Sequence, residues 1–303
     1  MNEKQYYYEA HGLVIKSVFK LPDFFDIEEK DEYDLEITAG HHLRSKLPAE
    51  WFIKKIDHKI LIYFREVGLF EVDEKRITFL SDRGTLTKFS HLYLSGLVIG
   101  AFLLKKENIV LHASAVANEA GKVTLFVGKS GAGKSCVVAG LLSKGFRLLS
   151  DDMVVLKSNE NEVDGSTVAR GKIRLQLKPD IFSMLYTEDV MTGKNIIKNK
   201  LFVTPPSLAT SGKLAAIYLL ETGDKPSIQE VTKSEALFGL MQNDMQSRFF
   251  GNDHRQLDNL AKLVEGLPIY KFIRTEQFSD YETGINLLFS HMEEINLTER
   301  GRT

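Results

Sequence analysis

Val123-Thr124-Leu125-Phe126-Val127, then Gly128-Lys129-Ser130-Gly131-Ala132-Gly133-Lys134-Ser135, then Cys136-Val137-Val138-Ala139-Gly140-Leu141-Leu142 is the run from which the rest of the chain can be read. Its middle fits G-x-x-x-x-G-K-[S/T], the phosphate-binding P-loop. The residues before it are apolar and β-prone, and those after it can start a helix. Strand, glycine loop and helix therefore follow in the order the motif requires. Glycines let the backbone bend until successive N–H groups point at one anion. The helix start adds the positive end of its dipole. Gly128, Lys129, Ser130, Gly131, Ala132, Gly133, Lys134 and Ser135 form the expected nucleotide cradle, which runs on into Cys136. Lys134 would reach the β- and γ-phosphates and Ser135 would hold Mg²⁺, so ATP and Mg²⁺ are the expected cofactors.

Two carboxylates follow. Asp151 and Asp152 close the run Arg147-Leu148-Leu149-Ser150. A short helix and a turn fit between Lys134 and that run. A right-handed return would set it beside residues 123–127, with its end near the phosphates. Consecutive strand residues face opposite sides, so one carboxylate can hold Mg²⁺ while its neighbour meets a second substrate. A phosphoryl acceptor hydroxyl must be aimed in line and must lose its proton to a base, and a carboxylate is enough for both. Asp151 is assigned the base and Asp152 the metal, with the reverse assignment left open. His112, in the apolar run Leu111-His112-Ala113-Ser114-Ala115, is a third candidate for the site.

Composition limits the alternatives. The 303 residues allow one large domain or two smaller ones. Hydrophobic (43%) and charged (26%) shares are those of an ordinary globular chain with a sizeable core. A net charge of −2 supplies no basic field for nucleic acid. Cys136 is the single cysteine, which excludes an internal disulfide and suits a reducing cytoplasm. Its place in the helix assigns the thiol to packing. Residues 1–10 are polar and tyrosine-rich, without the apolar core of a signal peptide. Residues 92–104 are the most membrane-like run, too short to span a bilayer, and read as a buried helix. A cytoplasmic protein with neither nucleic-acid nor membrane partner is expected.

Residues 6–15 read as an opening strand, 33–38 alternate with period two, and 52–57, 60–64, 69–72 and 76–79 are further short strands. Residues 1–84 are thus expected to form a small β-rich N-terminal unit, and 85–303 a catalytic domain that includes the connecting helix. In that helix Leu86, Phe89, Leu92, Leu97, Ala101 and Leu104 lie near one stripe. Strands are expected at 109–116, 123–127, 147–156, 168–177, 214–220 and 268–273. Helices are expected near 179–186, 233–241, 256–264 and 281–295. Residues 158–165 read as a polar turn. Residues 189–200, with Lys194, Lys198 and Lys200, read as a mobile loop. The fold class is α/β, a P-loop core with a β-rich N-terminal unit.

Residues 111–116, the loop 128–135 and Lys144-Gly145-Phe146-Arg147-Leu148-Leu149-Ser150-Asp151-Asp152 together resemble the catalytic domain of HPr kinase/phosphorylase. That family has a histidine-bearing strand, a Gly-x-Ser-Gly-x-Gly-Lys-Ser loop and an Arg-Gly-His-x-Leu-Val-x-Asp-Asp run. The resemblance implies that Asp151 is the base for the target serine, Asp152 a metal-site residue and His112 the histidine near the phosphates. Cys136 stands where the bifunctional enzymes have glutamate, and their C-terminal Asn-x-x-Gly-x-Gly signature has no counterpart here. Over the whole chain, Tyr8-Glu9-Ala10-His11-Gly12-Leu13-Val14-Ile15-Lys16-Ser17 with Leu21-Pro22, then Arg170-Gly171-Lys172-Ile173-Arg174-Leu175 with Pro179-Asp180, look like the HPr-kinase-related proteins of peptide natural-product gene clusters. Some of these are lasso-peptide kinases, which phosphorylate the C-terminal serine of a precursor peptide.

Arg170, Lys172 and Arg174 alternate, and on one strand face they would hold an acidic or carboxylate-ended peptide. Lys194, Lys198, Lys200, Arg248 and Arg255 are further candidates for clamping the transferring phosphate. The reading is an ATP- and Mg²⁺-dependent kinase acting on a peptide serine. Its rivals are an HPr-type kinase of a folded carrier protein and a nucleotide-gated regulator that transfers nothing. The oligomeric state stays open, a homo-oligomer included.

Overall fold

A computed structural model of the chain describes residues 4–40, 50–81, 86–157, 167–195, 199–251 and 253–300. The expected turn at 158–165 and Lys198 lie outside these. The N-terminal part is one eight-stranded sheet built from β1 (Tyr6–Ala10), β2 (Leu13–Ser17), β3 (Phe25–Ile27), β4 (Leu35–Ala39), β5 (Phe52–Ile56), β6 (Lys59–Phe64), β7 (Gly68–Val72) and β8 (Arg76–Leu80). The strands lie in the order β3-β1-β2-β4-β8-β7-β6-β5. The single opening strand expected at 6–15 is a hairpin. His11 and Gly12 both take left-handed φ, 56° and 75°, and turn β1 back onto β2.

A continuous helical run follows: α1 (Lys88–Tyr93), a π-helical stretch (Leu94–Val98) and α2 (Ile99–Lys105). Thr87 caps its start through the Ser90 N–H. Leu94, Val98, Ile99, Phe102 and Leu103 pack in one core with Tyr8, Ile15, Ile37 and Phe79 of the sheet. The run therefore lies on the N-terminal sheet.

The remaining strands and helices are β9 (Ile109–Leu111), β10 (Ala113–Ala117), β11 (Lys122–Val127), α3 (Lys134–Leu142), β12 (Arg147–Ser150), β13 (Val154–Leu156), β14 (Thr167–Ala169), β15 (Leu175–Leu177), α4 (Pro179–Leu185), β16 (Met191–Asn195), β17 (Lys200–Val203), β18 (Ser211–Thr222), β19 (Ser227–Glu230), α5 (Lys233–Met241), α6 (Met245–Phe249), α7 (His254–Gly266), β20 (Ile269–Arg274) and α8 (Tyr281–Arg300). A nine-stranded sheet runs β12-β10-β11-β18-β14-β13-β9, with β20 beside β18 and β19 beside β20. Residues of α5 and α7 join the core on one side of it, and those of α3, α4 and α8 the core on the other. Among the described residues no helix is long and apolar enough to cross a membrane.

Several expected strands are divided. Residues 109–116 form β9 and β10, with His112 where the chain leaves one partner for another: β9 pairs with β13, β10 with β11 and β12. The run 147–150 does not return beside 123–127. The hairpin to β10 takes one edge of β11 and the long buried strand β18, parallel to it, takes the other, so β12 lies outside β10. Residues 147–156 break at Asp152, whose φ is 67°. Residues 168–177 break between β14 and β15. The loop expected at 189–200 contains β16 and the start of β17, which with β15 form a third, three-stranded sheet. Only Asn195 of β16 is buried, so no apolar alternation marks it in the sequence.

One consequence positions the site. Val154 and Leu156 belong to the core shared with α5 and α7, whereas Met153 and Val155 belong to the N-terminal core. Alternate side chains leave opposite faces of a strand. The segment just after Asp151-Asp152 is therefore clamped between two cores.

Candidate active site

The glycine loop carries the chain from β11 into α3. Gly131 and Gly133 hold φ of 92° and 90°, and Gly133 is the N-cap of α3. No side chain caps that helix start, which leaves the positive end of its dipole to meet an anion. A Cβ on Gly133 would come within 2.3 Å of Arg274 Nε. Without it, Arg274 lies against the loop and donates to the carbonyls of Ala132 at 2.6 Å and Gly131 at 3.4 Å. Lys134 is buried and folds over the loop, its Nζ donating to the Gly128 carbonyl at 2.7 Å and the Lys129 carbonyl at 3.2 Å.

The two aspartates occupy different environments. Asp151 is fully buried. It accepts from the Ser135 hydroxyl, 3.0 Å from each of its oxygens, from the Ser114 hydroxyl at 2.5 Å and from the Gln176 N–H at 3.0 Å. Asp152 turns the other way through its left-handed backbone, a conformation that aspartate tolerates better than most residues. Its oxygens lie 3.4 Å from His112 Nε2 and 3.1 Å from Lys172 Nζ.

His112 is fixed at both ends. Its backbone N–H donates to the Asn243 carbonyl at 2.8 Å, and its ring Nδ1 lies 3.4 Å from Arg248 Nη1. Burial holds the imidazole below its ordinary pKa, outweighing the hydrogen bond to Asp152 that acts the other way. The ring is therefore neutral at pH 7. Lys172 is buried, which pulls its pKa down, but Asp152, Asp23 and Asp151 more than offset this and hold it above the ordinary lysine value. Its backbone is tied to the aspartates as well: the Lys172 N–H donates to Ser150 Oγ, and the Asp151 N–H to the Lys172 carbonyl, both at 3.1 Å. Gly171 allows this approach, since a Cβ there would meet Ser150 Oγ at 2.3 Å and His11 Cε1 at 2.4 Å.

Two cavities meet at this point. One, of about 260 Å³, is lined by the loop residues Ser130, Gly131, Gly133, Lys134 and Ser135 and continues past Cys136. The other, of about 340 Å³, is lined by Leu92, Tyr93, Gly96 and Leu97 of the helical run and by Met245 and Phe249 of α6. His112, Ser130, Asp152 and Gln176 line both, and Asp151 lines neither.

The donors fit a hard cation that shares its ligands with a nucleotide. Among the described residues no group of three or more His, Cys, Asp or Glu side chains forms a metal cage. A hydroxyl and a carboxylate, Ser135 and Asp151, stand together at the loop instead. Mg²⁺ is characteristically held by one or two carboxylates plus substrate phosphates.

The basic segment differs from its expectation. Residues 170–174 are not a strand, and the three side chains share no face. Arg170 pairs with Glu9 at 2.8 Å and lies over the Phe25 ring. Arg174 pairs with Asp23 at 2.5 Å and lies over the Phe202 ring. Both serve the contact with the N-terminal sheet, and only Lys172 reaches a cavity. The local alternation reads as a strand because the carboxylates that draw each cation aside lie far away in sequence. Of the remaining cations, Lys200 lines the loop cavity and Arg248 the other. Lys194 is exposed on β16, and Arg255 pairs with Glu107 at the surface. Burial pushes the Cys136 thiol up to about 11, so it stays protonated.

Ser114, Gln176, Asn243 and Arg274 were not singled out in the sequence. Arg274 carried a usable signal: it ends β20, which runs parallel to β18 and hence to β11, and so emerges at the loop end of the sheet.

No family model and no curated protein matches the chain. Among solved structures it is similar to the HPr(Ser) kinase/phosphatase from Coxiella burnetii, with 10% identity and a TM-score of 0.33, over 64% of this chain and 96% of that one.

Proposed function

We propose that the chain is a kinase that transfers the γ-phosphoryl group of ATP, with Mg²⁺, to a serine hydroxyl of a peptide, the C-terminal serine of a precursor peptide in the most specific form of this reading. The observation that carries it is the meeting of the two cavities at Asp152 and His112. One cavity has the phosphate loop as its wall. The other is a half-open, largely apolar recess, with the exposed Arg248 among its lining residues. A space of about 340 Å³ suits a chain end better than the surface of a folded carrier.

The geometry favours exchanging the two aspartate roles. Asp151 is enclosed by three donors and lines neither cavity, so it cannot take a proton from an acceptor there. It is suited to share a metal with Ser135. Bound there, Mg²⁺ would supply positive charge to the phosphate oxygens. Asp152 faces both cavities and is suited to be the base. The acceptor hydroxyl gives its proton to Asp152, its oxygen bonds the γ-phosphorus, and the bond to the β-phosphate oxygen breaks to release ADP. The Lys134 ammonium and the loop N–H groups hold the phosphate charge. The neutral His112 ring and the charged Lys172 ammonium keep the Asp152 carboxylate in place.

The test is incubation with labelled ATP, Mg²⁺ and short serine-ended peptides, read by intact mass. One phosphate on the peptide and none on its alanine-ended counterpart is expected. Nucleotide binding without transfer to any peptide or carrier protein would favour the regulator instead.

A further inference from the structure

The loop cavity extends well beyond the loop. The β20–α8 connection starts at Arg274 against the loop and rejoins α3 at Tyr281, whose hydroxyl donates to the Cys136 carbonyl at 3.0 Å. Between them stands Phe278, 49% exposed and on the cavity wall. A ring face open toward the cavity is available for a planar group to stack on. Pro226, Phe272 and Ile285 supply apolar wall beside it. The cavity is also polarised. Lys134 and Arg274 lie at the loop, whereas Asp180, Glu276 and Asp280 line the cavity elsewhere with no ion pair among the described residues.

We infer that the β20–α8 connection forms a nucleoside site, in which a purine base stacks on Phe278 and the ribose hydroxyls donate to the carboxylates of Asp180 and Asp280. This rests on the kinase reading above. Charge sets the orientation. A polyphosphate is repelled by the carboxylates and held by Lys134, Arg274 and the α3 start, while sugar hydroxyls are donors that carboxylates accept. The volume of about 260 Å³ leaves room beyond the loop for more than phosphate.

Calorimetry on the full chain tests this with Mg·ATP, Mg·GTP and inorganic triphosphate. Phe278→Ala should weaken ATP and GTP alike by about tenfold, the low end of base–aromatic stacking. Its triphosphate affinity should stay within about twofold of the unaltered chain, and Phe278→Trp should restore ATP binding. Unchanged ATP affinity in Phe278→Ala, or equal loss for ATP and triphosphate, would overturn the nucleoside site. If the unaltered chain binds neither ATP nor triphosphate, the kinase reading itself falls. Binding of both with no effect of Phe278→Ala removes only the present inference.

Discussion

Ser135 Oγ stands 3.0 Å from each carboxylate oxygen of Asp151, and the next residue, Asp152, is turned away from this pair toward His112. Adjacent carboxylates thus face different chemistry, and their amide variants should differ. Asp152→Asn keeps its size but cannot take the acceptor proton. Loss of a general base costs about 10²–10⁴-fold in rate, roughly 3–5 kcal/mol on the barrier. ATP affinity should change much less. Asp151→Asn should instead raise the Mg²⁺ concentration needed for half-maximal rate. Single-turnover transfer across a Mg²⁺ titration separates them. If excess Mg²⁺ rescues Asp152→Asn and not Asp151→Asn, the roles are the reverse.

Lys134 Nζ folds back over its own loop, donating to the Gly128 and Lys129 carbonyls. As the cation of the phosphate loop, Lys134 should matter chiefly for nucleotide binding, which Lys134→Ala tests. We expect loss of measurable ATP affinity by calorimetry, with a thermal midpoint within a few degrees of the unaltered chain, about 1 kcal/mol or less at this chain length. Retained affinity and turnover would exclude the loop as the phosphate site.

The parts of the site that were legible in the sequence are those whose signal is local. The strand, the glycines and Lys134-Ser135 lie within one short run, and the Asp pair follows a single helix. Arg274 and the Leu92–Leu97 wall of the second cavity are brought in by sheet order and by the docking of the helical run, which no local period records. Arg170 and Arg174 show the opposite failure. Their alternation is a true local pattern, but ion pairs with Glu9 and Asp23, on elements more than a hundred residues away, override the strand it suggests. The hidden strand β16 is polar because it pairs without burying a face. Which aspartate faces the acceptor depends on one backbone angle, the left-handed φ of Asp152, and residue order alone cannot supply it.

His11 gives a pH prediction. It is buried, both ring nitrogens lack a partner among the described residues, and burial, with the charge of Lys172 behind it, lowers its pKa from 6.5 to about 3. The unfolded chain therefore binds a proton at His11 below pH 6.5 that the folded chain does not. Stability from this group is fully present above that pH and is lost as pH falls toward the folded value, by at most about 1.4 kcal/mol per pH unit. His91, His112 and His291 are shifted the same way and add to the slope. His11→Asn, which tolerates the left-handed turn, should flatten the urea midpoint between pH 6.5 and 5. An unchanged slope would show that the folded chain protonates His11.

Gly171 sits where Ser150 and His11 leave no room for a methyl group. Gly171→Ala must push apart the segment carrying Lys172 and the one carrying the aspartates. Overpacking of this kind costs about 1–3 kcal/mol. The expected result is a lower urea midpoint at unchanged m-value, together with slower transfer. A variant of full stability and full rate would mean that the two segments are not held in register here.

Lys172 holds the Asp152 carboxylate from one side. It is 3% exposed, bonds Asp152 Oδ2 at 3.1 Å, and stays charged because the surrounding carboxylates outweigh its burial. Lys172→Met keeps the length of the stem and removes the charge. Breaking a buried pair costs about 3–5 kcal/mol when the partner is left dry. Asp152 keeps a quarter of its side-chain surface open to water, so about 2 kcal/mol is the expected loss. The catalytic effect is separate from this. Without the ammonium, Asp152 loses its 3.1 Å partner and samples orientations that miss the acceptor hydroxyl. Transfer should slow by about 10–100-fold, as a misplacement of about 1 Å does. Nucleotide affinity should hold, because Lys172 lines only the second cavity. Single-turnover rates well below the thermal midpoint of the variant, with ATP binding measured on the same samples, distinguish the cases. A fall in rate at constant ATP affinity supports positioning. A parallel fall of both would make Lys172 a residue of the fold alone.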